Sequence, residues 1–242
     1  MNKNWINVDW PVPANIFAVS TMRMGGVSQL PFDSFNLATH VDDALSNVLA
    51  NRAYLIKALS LPGEPSWLEQ THSNRVVCLD APIPTLQADA SYTSKPGKVC
   101  AILTADCLPV LICNEAGSKV AAIHAGWRGL LSGVIENTVH ALQDKDLLVW
   151  LGPAIGRERF EVGQEVRDAY CRKSELFSAA FTTKGNNKWL ADIYALCRVI
   201  LAQLGIIKVY GGGFCTVTDQ ERFFSYRRTS KTGRMATLIW RT

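Results

Sequence analysis

Three apolar runs, "KVCAILT", "LPVLIC" and "KVAAIH", follow one another between Lys98 and His124 with only short polar stretches between them. Runs of this length, bounded by turn residues, fit buried strands. The last run ends at His124, and the chain leaves it through Ala-Gly-Trp-Arg-Gly into an amphipathic helix expected over 129–142. A core histidine needs neither the two glycines nor the arginine. The junction therefore asks for a function.

The turn "NEAGSK" joins "LPVLIC" to "KVAAIH", and "EAGS" makes a four-residue loop. If Asn114 pairs with Lys119, Cys113 faces Val120 and His124 faces Pro109. Cys107 lies two residues before Pro109, so it shares a sheet face with His124 on a diagonal. Diagonal neighbours are roughly 7–8 Å apart at the backbone. A metal with bonds of about 2.0–2.3 Å to nitrogen and sulfur can bridge that gap.

Elsewhere "IFAVSTMR" reads as a strand leading to a glycine turn. Residues 42–59 keep helical spacing, with an aspartate at the start to cap them. "RVVCL", "LLVWLG" and "IKVYGG" read as strands, "EVRDAYCRKSELF" and "LADIYALCRVILAQLG" as helices, and "RFFSYRR" with "RMATLIW" as a final pair. Strands joined by short turns and interrupted by helical crossovers indicate a mixed sheet in an α+β or layered α/β domain. No repeat or linker divides the chain, so one domain over 1–242 is expected.

Hydrophobic residues make up 48% of the 242 and charged residues 19%, the composition of an ordinary globular protein. The net charge of +4 suits small anionic ligands and is too mild and scattered for nucleic acid. No segment reaches the roughly 18 apolar residues of a spanning helix, and the N-terminus lacks a signal-peptide run. Seven cysteines, odd in number and irregular in spacing, read as reduced thiols of a cytoplasmic protein. A monomer is the expectation.

Of four histidines, His140 falls on a helix and reads as solvated or packed, while His40, before an acidic helix start, reads as a turn residue. His72 lies in a polar loop, "WLEQTHSNRVV", a good position for lining a site. The strongest pairing is Cys107 with His124.

The segments "STMRMGGVS", "PFDSFNLATHVDD", "WLEQTHSNRVV", "ADASYT", "LTADCLPVLIC", "AAIHAGWRG", "LGPAIG" and "FFSYRR…TGRMA" resemble the YfiH family, also called laccase-domain or polyphenol-oxidase-like proteins. The resemblance runs from about Arg23 to the C-terminus. It implies a layered αββα domain with mixed, largely antiparallel sheets, and metal ligands at His72, Cys107 and His124. It also implies a purine-nucleoside enzyme that carries out phosphorolysis of adenosine and inosine, with adenosine deamination. Purine nucleosides and phosphate are then the partners. The chain departs from the family at "GGGFCT" and at Ser73, where glycine is common.

Two histidines and a cysteine without a fourth protein ligand are the pattern of a catalytic zinc with an open position. Copper on the same set calls for a weak axial methionine or its equivalent. A multicopper oxidase needs far more histidines than four, although a lone copper centre remains open. A cysteine hydrolase with Cys107 as nucleophile, His124 as base and Asp106 as orienter uses the same proximity, as would an enzyme that edits cell-wall precursors. His72 argues against that dyad. A metal-binding accessory protein is the non-enzymatic alternative. The chain lacks the H-x-E signature of other zinc deaminases, which leaves Asp106 as the expected proton shuttle. Arg23 on its glycine turn, Arg52 in the first helix and Arg128 beside His124 are expected to hold phosphate. For Arg128, a helix start adds backbone donors that favour an anion.

Overall fold

The apolar run Leu108–Asn114 forms a central strand of a six-stranded sheet in the computed structural model, which describes residues 4–82 and 85–242. It pairs antiparallel with Val120–Ala125 in the register expected from the turn: Cys113 opposite Val120, and Pro109 opposite His124. The Asn114 side chain fixes that turn, its Oδ1 accepting the N–H groups of Ser118 and Lys119 at 2.8 and 2.9 Å. Leu147–Leu151 and then Val209–Gly211 extend the sheet on one side, Ala90–Thr93 and then Val76–Cys78 on the other.

A second sheet of five strands runs in the order Trp5–Asn7, Ile16–Thr21, Met235–Arg241, Val99–Thr104 and Pro65–Trp67. A small third sheet joins Glu161–Gly163, Lys188–Ala191 and Phe181–Gly185. Three strand pairs are parallel and the rest antiparallel.

The alternation of side chains along these strands creates the layers. Cys100, Ile102 and Ile239 of the five-stranded sheet pack against Leu111, Cys113, Val120, Ala122 and Trp150 of the six-stranded one. On the outer face of the five-stranded sheet, Val99, Ala101, Leu103 and Leu238 meet Leu55 of helix α1 (Leu45–Leu59). The outer face of the six-stranded sheet carries Val110, Ile112, Ala121 and Ile123. They are covered by α2 (Trp127–Ser132), α3 (Val134–Leu142) and α5 (Ile193–Gln203), with α4 (Gln164–Lys173) packing beside them. Strands buried on both faces explain the unbroken apolar runs. Each buried valine, leucine or isoleucine among them contributes about 1.5–3 kcal/mol relative to exposure. The result is a mixed αββα arrangement. Among the described residues no helix is long and apolar enough to cross a membrane.

Several elements differ from the sequence reading. The helix expected over 129–142 is two helices, because Gly133 sits at φ +96°, a left-handed conformation that breaks the helical run. Helix α1 begins at Leu45, and Asp43 accepts the Ala44 N–H without capping the helix. The helix expected over "EVRDAYCRKSELF" ends at Lys173, and a 3-10 segment, Glu175–Ala180, follows. "LADIYALCRVILAQLG" begins as strand, and α5 starts only where Asp192 accepts the Ala195 N–H at 3.0 Å. "RFFSYRR" is a looped segment. Its Phe223 and Phe224 are fully buried, and Arg228 ties it to the carbonyls of Thr216 and Phe223 at 2.7 Å.

Candidate metal centre and cavity

Where the two large sheets end together, the chain makes three polar junctions around one cavity. Strand Val99–Thr104 runs out through Ala105 and Asp106 to Cys107, strand Val120–Ala125 ends beside His124, and the loop at Gln70–Ser73 brings in His72. Gln70 pins that loop to the end of the first strand, its amide donating to the Leu103 carbonyl and accepting the Leu103 N–H, both at 2.7 Å. The cavity has a volume of about 490 Å3, within the range of small-molecule sites.

His72, Cys107 and His124 come together there, with one potential ligand atom from each lying within 4.8 Å of the others. Cys107 Sγ is 3.7 Å from His72 Nε2, and the two imidazole rings meet edge to face at 4.8 Å between centroids. Burial is graded: His124 is buried, Cys107 half-buried and His72 exposed. The set therefore opens towards solvent on the His72 side.

The residue that organises this set is Asp89, fully buried on strand Ala90–Thr93's leading edge. Its Oδ1 lies 2.7 Å from His124 Nδ1, which leaves His124 Nε2 for the cavity. The same carboxylate accepts the backbone N–H groups of Thr71, His72 and Ser73 at 3.2, 3.0 and 2.6 Å, and the Ser73 hydroxyl at 2.7 Å. One side chain thus orients one imidazole and holds the loop that carries the other, in which His72 takes φ +60°. Burial alone would raise the Asp89 carboxyl. The hydrogen bonds from His124 and Ser73 outweigh it and hold the group at about 2.

The same balance acts on Cys107. Burial pushes its thiol up, but the charge on His124 and hydrogen bonds from both histidines bring it down to about 6. Burial would lower His124, yet the Cys107 thiolate and Asp89 raise it to about 9. Each of the two groups thus favours the charged form of the other.

This arrangement fits a metal. Two imidazole nitrogens and a thiolate are borderline-to-soft donors of the kind zinc and copper take, and a carboxylate behind a ligating histidine is a recurrent support. Gly126 answers the question raised by the glycines after His124. A Cβ there would lie 2.9 Å from His72 Cδ2 and 3.1 Å from Cys107 Sγ, filling the space between the donors.

Asp106 and Arg128 also line the cavity, together with Trp127, Ile155, Phe160 and Ile193. Asp106 sits at φ +94°, and both its oxygens are taken: Oδ1 by the Thr216 hydroxyl at 2.5 Å, Oδ2 by the Arg227 N–H at 2.6 Å. Those two bonds tie the junction before Cys107 to the C-terminal segments carrying Thr216 and Arg227. Arg128 is exposed and stacks on the Trp127 ring at 4.3 Å.

Arg23 and Arg52 do not line the cavity, which corrects the phosphate role expected of them. Arg23 pairs with Asp33 at 2.8 Å and donates to the carbonyls of Asp33 and Gln220. Arg52 donates to the Leu37 carbonyl and stacks on Trp67 at 4.1 Å. His140 is exposed on α3, as expected.

The sequence reading missed Asp89, and it placed His40 in a turn role although His40 lines the cavity, as do Tyr226, Arg227 and Arg234. Asp89 carried a signal: an aspartate inside the run "ADASY" must be paired if that run is buried.

A family described as multi-copper polyphenol oxidoreductase laccase matches residues 17–242. The chain belongs to this family. Its relatives include the purine nucleoside phosphorylase YfiH of Shigella flexneri, 53% identical over 234 residues and covering 96% of each chain. A purine nucleoside phosphorylase of Pseudomonas aeruginosa is 52% identical over 239 residues, 98% of each. Among solved structures, a Neisseria meningitidis protein superposes with a TM-score of 0.94 at 47% identity, covering 99% of each chain. YlmD of Geobacillus stearothermophilus gives 0.92 at 28% identity, covering 100% of this chain and 97% of its own. The family description and the names of these relatives state different chemistries. All seven cysteines of this laccase-family chain are free thiols.

Proposed function

We propose that the chain is a metal-dependent purine nucleoside phosphorylase that uses zinc held by His72, Cys107 and His124, and that the same centre deaminates adenosine. The single observation that carries the reading is the three-donor cluster opening into a cavity of nucleoside size, lined by both aromatic and cationic side chains. The relatives titled purine nucleoside phosphorylase support it.

A zinc ion with three protein ligands supplies a Lewis acid with an open position. The residues of the chain do the rest. Trp127, Phe160, Ile155 and Ile193 offer a flat purine apolar and aromatic surface. Asp89 holds His124 and the His72 loop in place before substrate arrives, so no reorganisation is needed on binding. Arg128, exposed to the cavity, brings positive charge to an incoming phosphate. Cys107 acts as a ligand in this reading, and the two histidines would bind the metal as neutral imidazoles.

Zinc-loaded protein supplied with inosine and inorganic phosphate is expected to yield hypoxanthine and ribose 1-phosphate by chromatography. Adenosine without phosphate is expected to yield inosine. Loaded protein that gives neither product contradicts the proposal.

A further inference from the structure

Three arginines line the cavity, and among the described residues none of them forms an ion pair. They are not equivalent. Arg128 is exposed and lies on Trp127, while Arg227 is exposed and directs Nη1 and Nη2 to the carbonyls of Arg159 and Glu161. Arg234 is half-buried. Its Nη1 donates to the carbonyls of Thr232 and Gly233 at 2.8 and 3.1 Å, and its backbone N–H to Asn36 Oδ1 at 3.0 Å.

Those bonds fix one edge of the guanidinium. Among the described residues neither Nε nor Nη2 of Arg234 meets an acceptor, and these two N–H groups form the parallel fork that matches two oxygens of a tetrahedral anion. Burial lowers the Arg234 pKa, which marks a cation kept partly from water. Asp106 acts on it electrostatically but has both oxygens engaged by Thr216 and Arg227. A partly desolvated cation with a free bidentate edge is left for a ligand to neutralise. Arg234 and His40 line the same cavity as His72, Cys107 and His124, so the guanidinium shares that space with the donor cluster.

We propose that Arg234 anchors a phosphate subsite in this cavity, taking two oxygens of inorganic phosphate through Nε and Nη2. The inference rests on the phosphorylase reading above and names where its second substrate sits. In the step it serves, a phosphate oxygen bonds to the anomeric carbon as the glycosidic C–N bond breaks. The bonding pair leaves on the purine nitrogen, and the proton of hydrogen phosphate passes to the base. Nucleoside and hydrogen phosphate become free base and ribose 1-phosphate.

The test uses zinc-loaded full-length protein, with inorganic phosphate as the probe, in wild type, Arg234→Gln and Arg234→Lys. Two quantities are read: saturable thermal stabilisation by phosphate, and the phosphate and inosine KM values in phosphorolysis. Arg234→Gln is expected to weaken phosphate in both readouts by tenfold or more while the inosine KM stays within twofold. Arg234→Lys, which keeps the charge but loses the fork, is expected to fall between it and wild type. If the glutamine variant fails to fold by circular dichroism, the lysine variant decides: wild-type phosphate affinity in it overturns the subsite. Phosphorolysis with an unchanged phosphate KM in both variants overturns the subsite and leaves the phosphorylase reading intact. A wild type that binds phosphate, loses that binding in Arg234→Gln and makes no ribose 1-phosphate supports the subsite and contradicts the phosphorylase reading. A wild type that neither binds nor turns over phosphate contradicts both.

Discussion

Cys107 immediately precedes the strand Leu108–Asn114, and Cys113 lies near its far end, six residues on. Cys113 lies between the two sheets among apolar side chains, and burial pushes its thiol up to about 12. Cys100 across the layer and Cys197 on α5 are raised to the same level for the same reason. Burial acts in the same direction on Cys107, yet His124 and His72 bring that thiol down to about 6. The difference lies in the two imidazoles at the open end of the layer, and in the Asp89 carboxylate that bonds the His124 ring and the backbone of the loop carrying His72. A cysteine packed in this fold is a small hydrophobe, and the same side chain at the strand's mouth is a ligand.

The largest effect expected from breaking this contrast is on turnover. Cys107→Ala and His124→Ala should fall to background in phosphorolysis while Cys113→Ala keeps wild-type kcat. Equal activity in all three would leave the cluster without a role.

Removing the shared support comes next. Asp89→Ala leaves a buried imidazole and three backbone N–H groups without their acceptor, at a cost of about 3–5 kcal/mol by the behaviour of other broken buried pairs. The more conservative Asp89→Asn should lower metal affinity about 10–100-fold, as losses of such supports do. Chemical denaturation and competition with a chelator check the two values. Gly126→Ala is expected to act on the metal alone: its Cβ would press on His72 and Cys107. Affinity should drop while the circular dichroism spectrum is unchanged.

A smaller effect sharpens the comparison through pH. In chelator-treated protein, alkylation of Cys107 should be half-maximal near pH 6 and fall below it as the thiolate takes up a proton. Cys113 should stay unmodified across the same range because its thiol titrates near 12. Mass spectrometry of the modified peptides reads both. A Cys107 that reacts only above about pH 8, as an ordinary thiol does, contradicts the assignment of its partners. The least effect is expected of Cys113→Ser on stability, about 1–3 kcal/mol for a buried hydroxyl without a new partner.

Much of this contrast was legible in the sequence. The period-two register of one hairpin, set by "NEAGSK", was enough to place Cys107 near His124, because strand pairing leaves few geometric choices. A mixed sheet followed from strands interrupted by helical crossovers, and the αββα layering from the family resemblance. What sequence order hid was the approach of distant segments. Asp89 meets the His72 loop across 16 to 18 residues and His124 across 35, and Arg234 reaches the cavity from the far end of the chain. Arg23 and Arg52 misled for the opposite reason. A local setting of glycines or helix does not reveal that a guanidinium is already paired with Asp33 or stacked on Trp67. The break at Gly133 escaped because a single glycine within a helical pattern is usually tolerated.

Metal stoichiometry in two cysteine variants tests the metal centre most directly. Wild type, Cys107→Ser and Cys113→Ser would be stripped with chelator, reloaded with zinc, desalted and measured by elemental analysis. Close to one zinc per chain is predicted for wild type and Cys113→Ser, and little or none for folded Cys107→Ser. A full equivalent retained by Cys107→Ser, or lost equally by Cys113→Ser, would contradict the claim that His72, Cys107 and His124 form the metal centre.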